Sequence, residues 1–195
     1  MYSIRSAVEN LPHDKIWVVG GKPNWYRGKF MGVKQSGTKY QNARDILEAI
    51  CENDEISDEF ILMNDDFFIT EKINNLKYYH GGSLEKKVAK YSKLHPNSTY
   101  TNLLKNTLNG LQDRYGIKNP LDYELHVPMK MDKYGLYKAA TSGLLWRSVY
   151  GNMNRVGGEQ IKDVKVYLGE KEAGHSYDYK KGNLPFLSTK IDLFL

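Results

Sequence analysis

The chain has 195 residues, 41% of them hydrophobic and 12% aromatic, with a single cysteine and a formal net charge of +5. That composition excludes a disordered chain and an internal disulfide framework, and it leaves enough apolar material for a real core. No apolar run reaches transmembrane length and no signal peptide is evident, so the expectation is one cytoplasmic domain spanning residues 1–195.

Taken in order, Tyr2 to Asn10 reads as a helix with Ile4, Ala7, Val8 and Leu11 on one side, stopped by Pro12. Ile16-Trp17-Val18-Val19 reads as a short buried strand that breaks at Gly20-Gly21-Lys22-Pro23. This is not a phosphate-binding Walker loop, because the Gly-Lys-Ser/Thr signature is absent. Trp25 to Gly37 reads as loop. Ala43 to Cys51 reads as a helix with Ile46, Leu47 and Ile50 facing inward, and Cys51 as a core residue rather than a nucleophile. A strand beginning at Phe60 follows. The alternation of helix and strand predicts an α/β fold with part of its sheet parallel.

The run Phe60-Ile61-Leu62-Met63-Asn64-Asp65-Asp66-Phe67-Phe68-Ile69 places two adjacent carboxylates between apolar stretches. Desolvating an unpaired carboxylate is costly, and a hard divalent cation is a natural compensator. The competing reading is a strand that ends in a polar turn, with Asn64 and Asp65 as turn formers. In such folds ligands bind beyond the carboxyl ends of the strands, which is where Asp65 and Asp66 fall.

Thr99 to Tyr115 carries Leu103, Leu104, Leu108 and Leu111 at helical spacing, with Asn97, Ser98 or Thr99 available as a cap. Tyr123 to Met129 alternates like a strand and ends at Pro128-Met129. Val164 to Leu168 reads as a late strand, and the tail from Pro185 to Phe194 is apolar with one acid. Charge is uneven: Asp45 to Asp66 holds nine acids and no base, while Glu71 to Lys93 holds six lysines against two acids. The basic stretch fits either a solvated helical face or a surface for a polyanion.

Several of these segments together resemble nucleotide-sugar transferases of the GT-A fold, and more narrowly the Stealth-type sugar-phosphate transferases and their phage and bacterial relatives. The similarity lies in Tyr2-Ser3-Ile4-Arg5-Ser6 through Leu11-Pro12 and Ile16 to Val19. It continues in Asn42 through Phe60 to Asn64-Asp65-Asp66, in Glu124 to Met129, and more weakly in Arg147 to Asn152 and Phe186 to Thr189. The blocks occur in family order.

The resemblance implies a Rossmann-like mixed sheet flanked by helices. It implies a metal-dependent glycosyltransferase with Mn²⁺ or Mg²⁺ as cofactor, a UDP-sugar as the expected donor, and a glycan or phage-type DNA as acceptor. Asp65 and Asp66 would hold the metal, with Asp192 as a further ligand from the tail. Asn64, Arg5 and Arg147 would contact the donor, His126 would act as base, and Glu48 is a further acidic candidate. The family's usual first strand, ahead of the Tyr-Ser helix, has no counterpart here, which predicts a gap in the sheet. Sugar-1-phosphate transfer uses the same donor and metal and stays open. Two other classes also stay open: a non-catalytic polyanion- or nucleic-acid-binding module, and a metal-dependent phosphate-ester hydrolase. Read without the resemblance, His126 is a strand histidine, Arg147 a helix-end or surface residue, Arg5 a helix-face residue, and Asp192 and His175 solvated side chains.

Overall fold

The computed structural model describes residues 2–166 and 184–189. Helix α1 (Tyr2–Asn10) forms as its spacing predicts and buries Ser3 and Ala7, with Leu11 buried just beyond it, whereas Val8 points to solvent. The helix is fixed by polar side chains as much as by apolar ones. Ser6 Oγ accepts from Ile69 N at 3.0 Å, and Asn10 Nδ2 donates to Ile69 O at 2.9 Å.

Strand β1 (Trp17–Gly20) pairs in parallel with β2 (Lys29–Gly32), with Val18 opposite Phe30. The second strand corrects the expectation of a loop from Trp25 to Gly37. Its Gly-rich flanks hide three residues whose ladder is supplied by a neighbour rather than by their own pattern. At Gly20 the backbone takes φ +108°, and a Cβ would stand 2.9 Å from Gln35 Nε2, so glycine is required where β1 ends.

Helix α2 (Lys39–Glu52) starts at a Thr38 cap that accepts from Gln41 N, and buries Leu47 and Ile50. Strand β3 (Glu59–Leu62) leads to the Asn64–Asp66 turn, closed by Phe67 N donating to Asn64 O at 3.2 Å, and then to β4 (Phe67–Ile69). The short β5 (Tyr79–His80) precedes α3 (Leu84–Leu94, capped by Ser83) and α4 (Thr99–Asn109, capped by Ser98). Helix α4 runs into one π-helical turn at Gly110–Arg114, so the predicted helix from Thr99 changes pitch near its end. Strand β6 (Met129–Asp132) pairs antiparallel with β3, and Asp132 then caps α5 (Lys133–Thr141). After α6 (Trp146–Met153), β7 (Glu159–Gln160) lies parallel to β5. The last described strands are β8 (Lys165–Val166) and β9 (Phe186–Thr189). They pair in parallel, and β9 also pairs antiparallel with β4.

The fold is mixed α/β, with the strands in small sheets rather than in one continuous sheet. One core gathers Leu47, Leu84, Leu104, Leu111, Met131, Leu136 and Val149 among the helices and β6. A second lies beneath α1, with Ile69, Leu125, Val127, Val164 and Phe186. Strands β1 and β3 do not pair with each other. A slot of about 970 Å³ is lined by Trp17 and Val19 of β1, Phe60 and Ile61 of β3, Ile50 of α2 and Leu11. Among the described residues no helix is long and apolar enough to cross a membrane.

Candidate active site

The segment from Tyr123 to Val127 alternates in burial as the sequence predicts, yet it is not a regular strand until Met129. This corrects the expected strand over Tyr123 to Met129. Asp122 pairs by backbone with Gly81 and Gly82, and side chains supply many of the remaining partners. Asn152 accepts from Leu121 N and donates to Leu121 O, both at 2.8 Å. Tyr123 N donates to Ser148 Oγ at 3.2 Å, and His126 N donates to Asp163 Oδ1 at 3.0 Å. Extended backbone without a ladder leaves its donors to be met this way.

The same anchoring brings ionisable groups together. Asp122 is buried and pairs with Lys87 Nζ at 2.8 Å, so this lysine of the basic stretch is structural. Glu124 accepts from Ser148 N at 2.9 Å and Ser148 Oγ at 3.0 Å, near the start of α6 where a carboxylate is favoured. Burial pushes the Glu124 carboxyl above the usual range, with the Asp122 charge adding to the effect against Ser148, Arg147 and Lys87. Arg147 is buried and donates from Nη1 to Val127 O at 2.8 Å. Its guanidinium lies 5.4 Å from the Phe67 ring centre and 4.9 Å from that of Trp146, and its Nη2 has no hydrogen-bond partner among the described residues. Burial pushes its pKa down to about 10, opposed by the charges of Glu124, Asp163 and Asp66.

His126 stands edge-on to Phe67, with the ring centres 6.1 Å apart. Its Nδ1 is 2.7 Å from Asp163 Oδ2, and its Nε2 is 3.0 Å from Lys165 Nζ. An ammonium only donates, so Nε2 accepts and Nδ1 carries the proton toward Asp163. Lys165 Nζ also lies 3.6 Å from Asp66 Oδ2, which accepts a 3.4 Å bond from Ser188 Oγ. The chain of contacts therefore runs Asp163, His126, Lys165, Asp66.

His126 and Arg147 thus both lie against Phe67, which follows Asp66 in the chain. Asn64 and Asp65 lie exposed on the turn. Arg5 is exposed on α1 and Glu48 half-buried on α2, and neither bonds to the cluster. Asp192 and His175 lie outside the described residues. Cys51 is half-buried against the helical core, and burial pushes its thiol up to about 11, which fits a packing residue rather than a nucleophile. Asp163, Lys165 and Ser188 were not among the expected site residues. The signal for the first two was Asp163-Val164-Lys165, where period two sets both charges on one face and a buried Val164 on the other.

Burial alone would raise the Asp163 carboxyl, but the hydrogen bonds and charge of His126 outweigh it and hold it below the usual carboxylate range. A depressed carboxylate stabilises the fold above its unfolded value, and that contribution is lost as pH falls through the folded value. Glu124 works in the opposite sense, contributing below its unfolded value and losing that contribution as pH rises. Asp163→Asn is therefore expected to flatten the acid limb of a urea-midpoint profile while leaving the decline at higher pH in place. An unchanged acid limb would contradict the His126–Asp163 pairing.

The chain matches no protein-family model and no curated protein.

Proposed function

We propose that this chain is a metal-dependent glycosyltransferase that moves a sugar from a nucleotide-diphosphate donor, expected to be a UDP-sugar, to an acceptor hydroxyl. The observation that carries this reading is the meeting of His126, oriented by Asp163, with the carboxylate of Asp66 through a single lysine. An imidazole with its Nδ1 proton held by a carboxylate presents Nε2 as a base, the arrangement a hydroxyl nucleophile needs.

The donor set fits a metal held jointly with phosphates rather than a closed protein cage. Asp66 Oδ1 is buried without a hydrogen-bond partner among the described residues, so its lone pairs are unused by any protein donor there, and Asp65 is next to it in the chain. Among the described residues no group of three or more His, Cys, Asp or Glu could hold a metal. Mg²⁺ and similar ions are typically bound by one or two carboxylates plus substrate phosphates. When bound, Mn²⁺ or Mg²⁺ would supply charge neutralisation at the leaving diphosphate. The unpartnered Nη2 of Arg147 adds a donor for a phosphate oxygen. His126 would take the acceptor proton at Nε2. On α3, Lys86, Lys90 and Lys93 are exposed, which supports an anionic glycan or a nucleic acid as acceptor.

The test is thermal stability with a panel of nucleotide-sugars, with and without Mn²⁺, on wild type and Asp66→Ala. One donor is expected to stabilise the wild type in the presence of metal, by about 2.7 kcal/mol when present at about 100 times its Kd. The variant should show no shift. Absence of any shift in the wild type would overturn the reading. Phosphate retained in the product would replace glycosyl transfer by sugar-1-phosphate transfer, which the same site supports.

A further inference from the structure

Lys165 stands between the two groups that the proposed chemistry needs. Its side chain is 17% exposed, with Nζ 3.6 Å from Asp66 Oδ2. The same Nζ is 3.0 Å from His126 Nε2. Because an ammonium has three donors and no lone pair, the 3.0 Å contact engages the one lone pair through which His126 could accept a proton. As the structure stands, the base is oriented by Asp163 and closed by Lys165. Near this lysine two buried atoms of opposite character lack hydrogen-bond partners among the described residues: Asp66 Oδ1, an acceptor, and Arg147 Nη2, a donor. Arg147 lies within electrostatic reach of Asp66 and Asp163. A metal–diphosphate satisfies both, with its cation on the carboxylate and its oxygens on the guanidinium. It also adds a cation beside the Lys165 ammonium at Asp66, and phosphate oxygens to which that ammonium can move.

We propose that Lys165 is a diphosphate-operated latch on His126: without donor its ammonium caps Nε2, and metal–diphosphate binding at Asp66 and Arg147 draws the ammonium onto the phosphates and opens the base. The inference rests on the transferase reading for its biological donor, but physically it requires only a diphosphate. It makes the donor bind before the acceptor is activated.

Acylation of His126 by diethylpyrocarbonate, followed by peptide mass spectrometry on the full chain, reads the state of Nε2 without any turnover, and the remaining histidines serve as internal references. In wild type His126 should react slowly. In Lys165→Met it should react about tenfold faster or more, the scale set by loss of a charge-assisted hydrogen bond. Lys165→Arg should stay slow, because a guanidinium still donates. Inorganic pyrophosphate with Mn²⁺ should raise the wild-type rate toward that of Lys165→Met and leave the methionine variant unchanged. Equal rates in wild type and Lys165→Met overturn the latch, as does a wild-type rate that pyrophosphate and Mn²⁺ leave unchanged or lower. Thermal shifts on the same samples separate the two readings. A metal-dependent donor shift with unchanged His126 reactivity removes the latch and leaves the transferase. Opening by pyrophosphate with no shift from any nucleotide-sugar keeps the latch and removes the sugar donor.

Discussion

Replacing Arg147 by alanine is expected to destabilise the fold by about 3–5 kcal/mol, a large part of the roughly 5–15 kcal/mol that holds a typical domain. Three losses combine. The carbonyl of Val127 loses the 2.8 Å bond from Nη1 and has no ladder to fall back on. The Phe67 and Trp146 rings lose the guanidinium packed against both. Glu124 loses a favourable charge although burial already pushes its carboxyl up. Removing one member of a buried charged set costs more than the set itself contributes, because the remaining charge stays desolvated. Arg147→Met keeps most of the volume and should lose less. The double variant Arg147→Met/Glu124→Gln should recover part of the difference, since it removes the stranded charge as well. Urea midpoints on wild type, Arg147→Met, Glu124→Gln and the double variant give the coupling directly. A loss below about 1 kcal/mol for Arg147→Ala would show that the buried guanidinium is tolerated rather than required.

This arginine also shows where sequence reasoning reached its limit. Trp146-Arg147-Ser148 reads as an ordinary helix start, and nothing local says that the guanidinium is enclosed. That follows only from Val127 and Phe67, which are distant in the chain. The legible parts were those with their own periodicity or caps. Helix α1, the inward face of α2 at Leu47 and Ile50, and the Ser98 cap with Leu104 and Leu111 in the core all follow from local spacing. Strand β2 was illegible because its partner, not its composition, makes it a strand. The alternation from Tyr123 to Val127 gave the correct buried face but the wrong hydrogen-bond partners, since alternation reports which side chains face the core and not what pairs the backbone. The polar turn at Asn64 and Asp65 was legible from its turn-forming residues, and both side chains are exposed there. Its neighbours Lys165 and Ser188 were not, because strand pairing brings β9 against β4 and sets β8 beside it.

Asp163→Asn is expected to lower kcat for sugar transfer by about 100-fold or more, the scale of a general base lost, with little change in the donor KM. The carboxylate accepts from His126 twice, at 3.0 Å from the backbone N and 2.7 Å from Nδ1. An asparagine that turns its oxygen to the backbone N–H turns its amide NH₂ toward Nδ1, and two donors then meet unless the ring changes tautomer. The changed tautomer carries its proton on Nε2, where it faces the Lys165 ammonium and has no lone pair for an acceptor hydroxyl. On the proposed transferase reading Asp163 would act through His126 as a positioning residue. A purely structural role would lower stability without altering the ionisation that governs kcat, so the deciding measurement is kcat against pH alongside urea midpoints. Asp163→Asn should displace or abolish the acid limb of the profile, where a general base loses its proton, whereas His126→Ala and His126→Ala/Asp163→Asn should have equal residual rates, because without the imidazole there is nothing left to orient. A variant that keeps wild-type kcat and profile would remove His126 as the base. A double variant much slower than His126→Ala would assign Asp163 a direct role of its own.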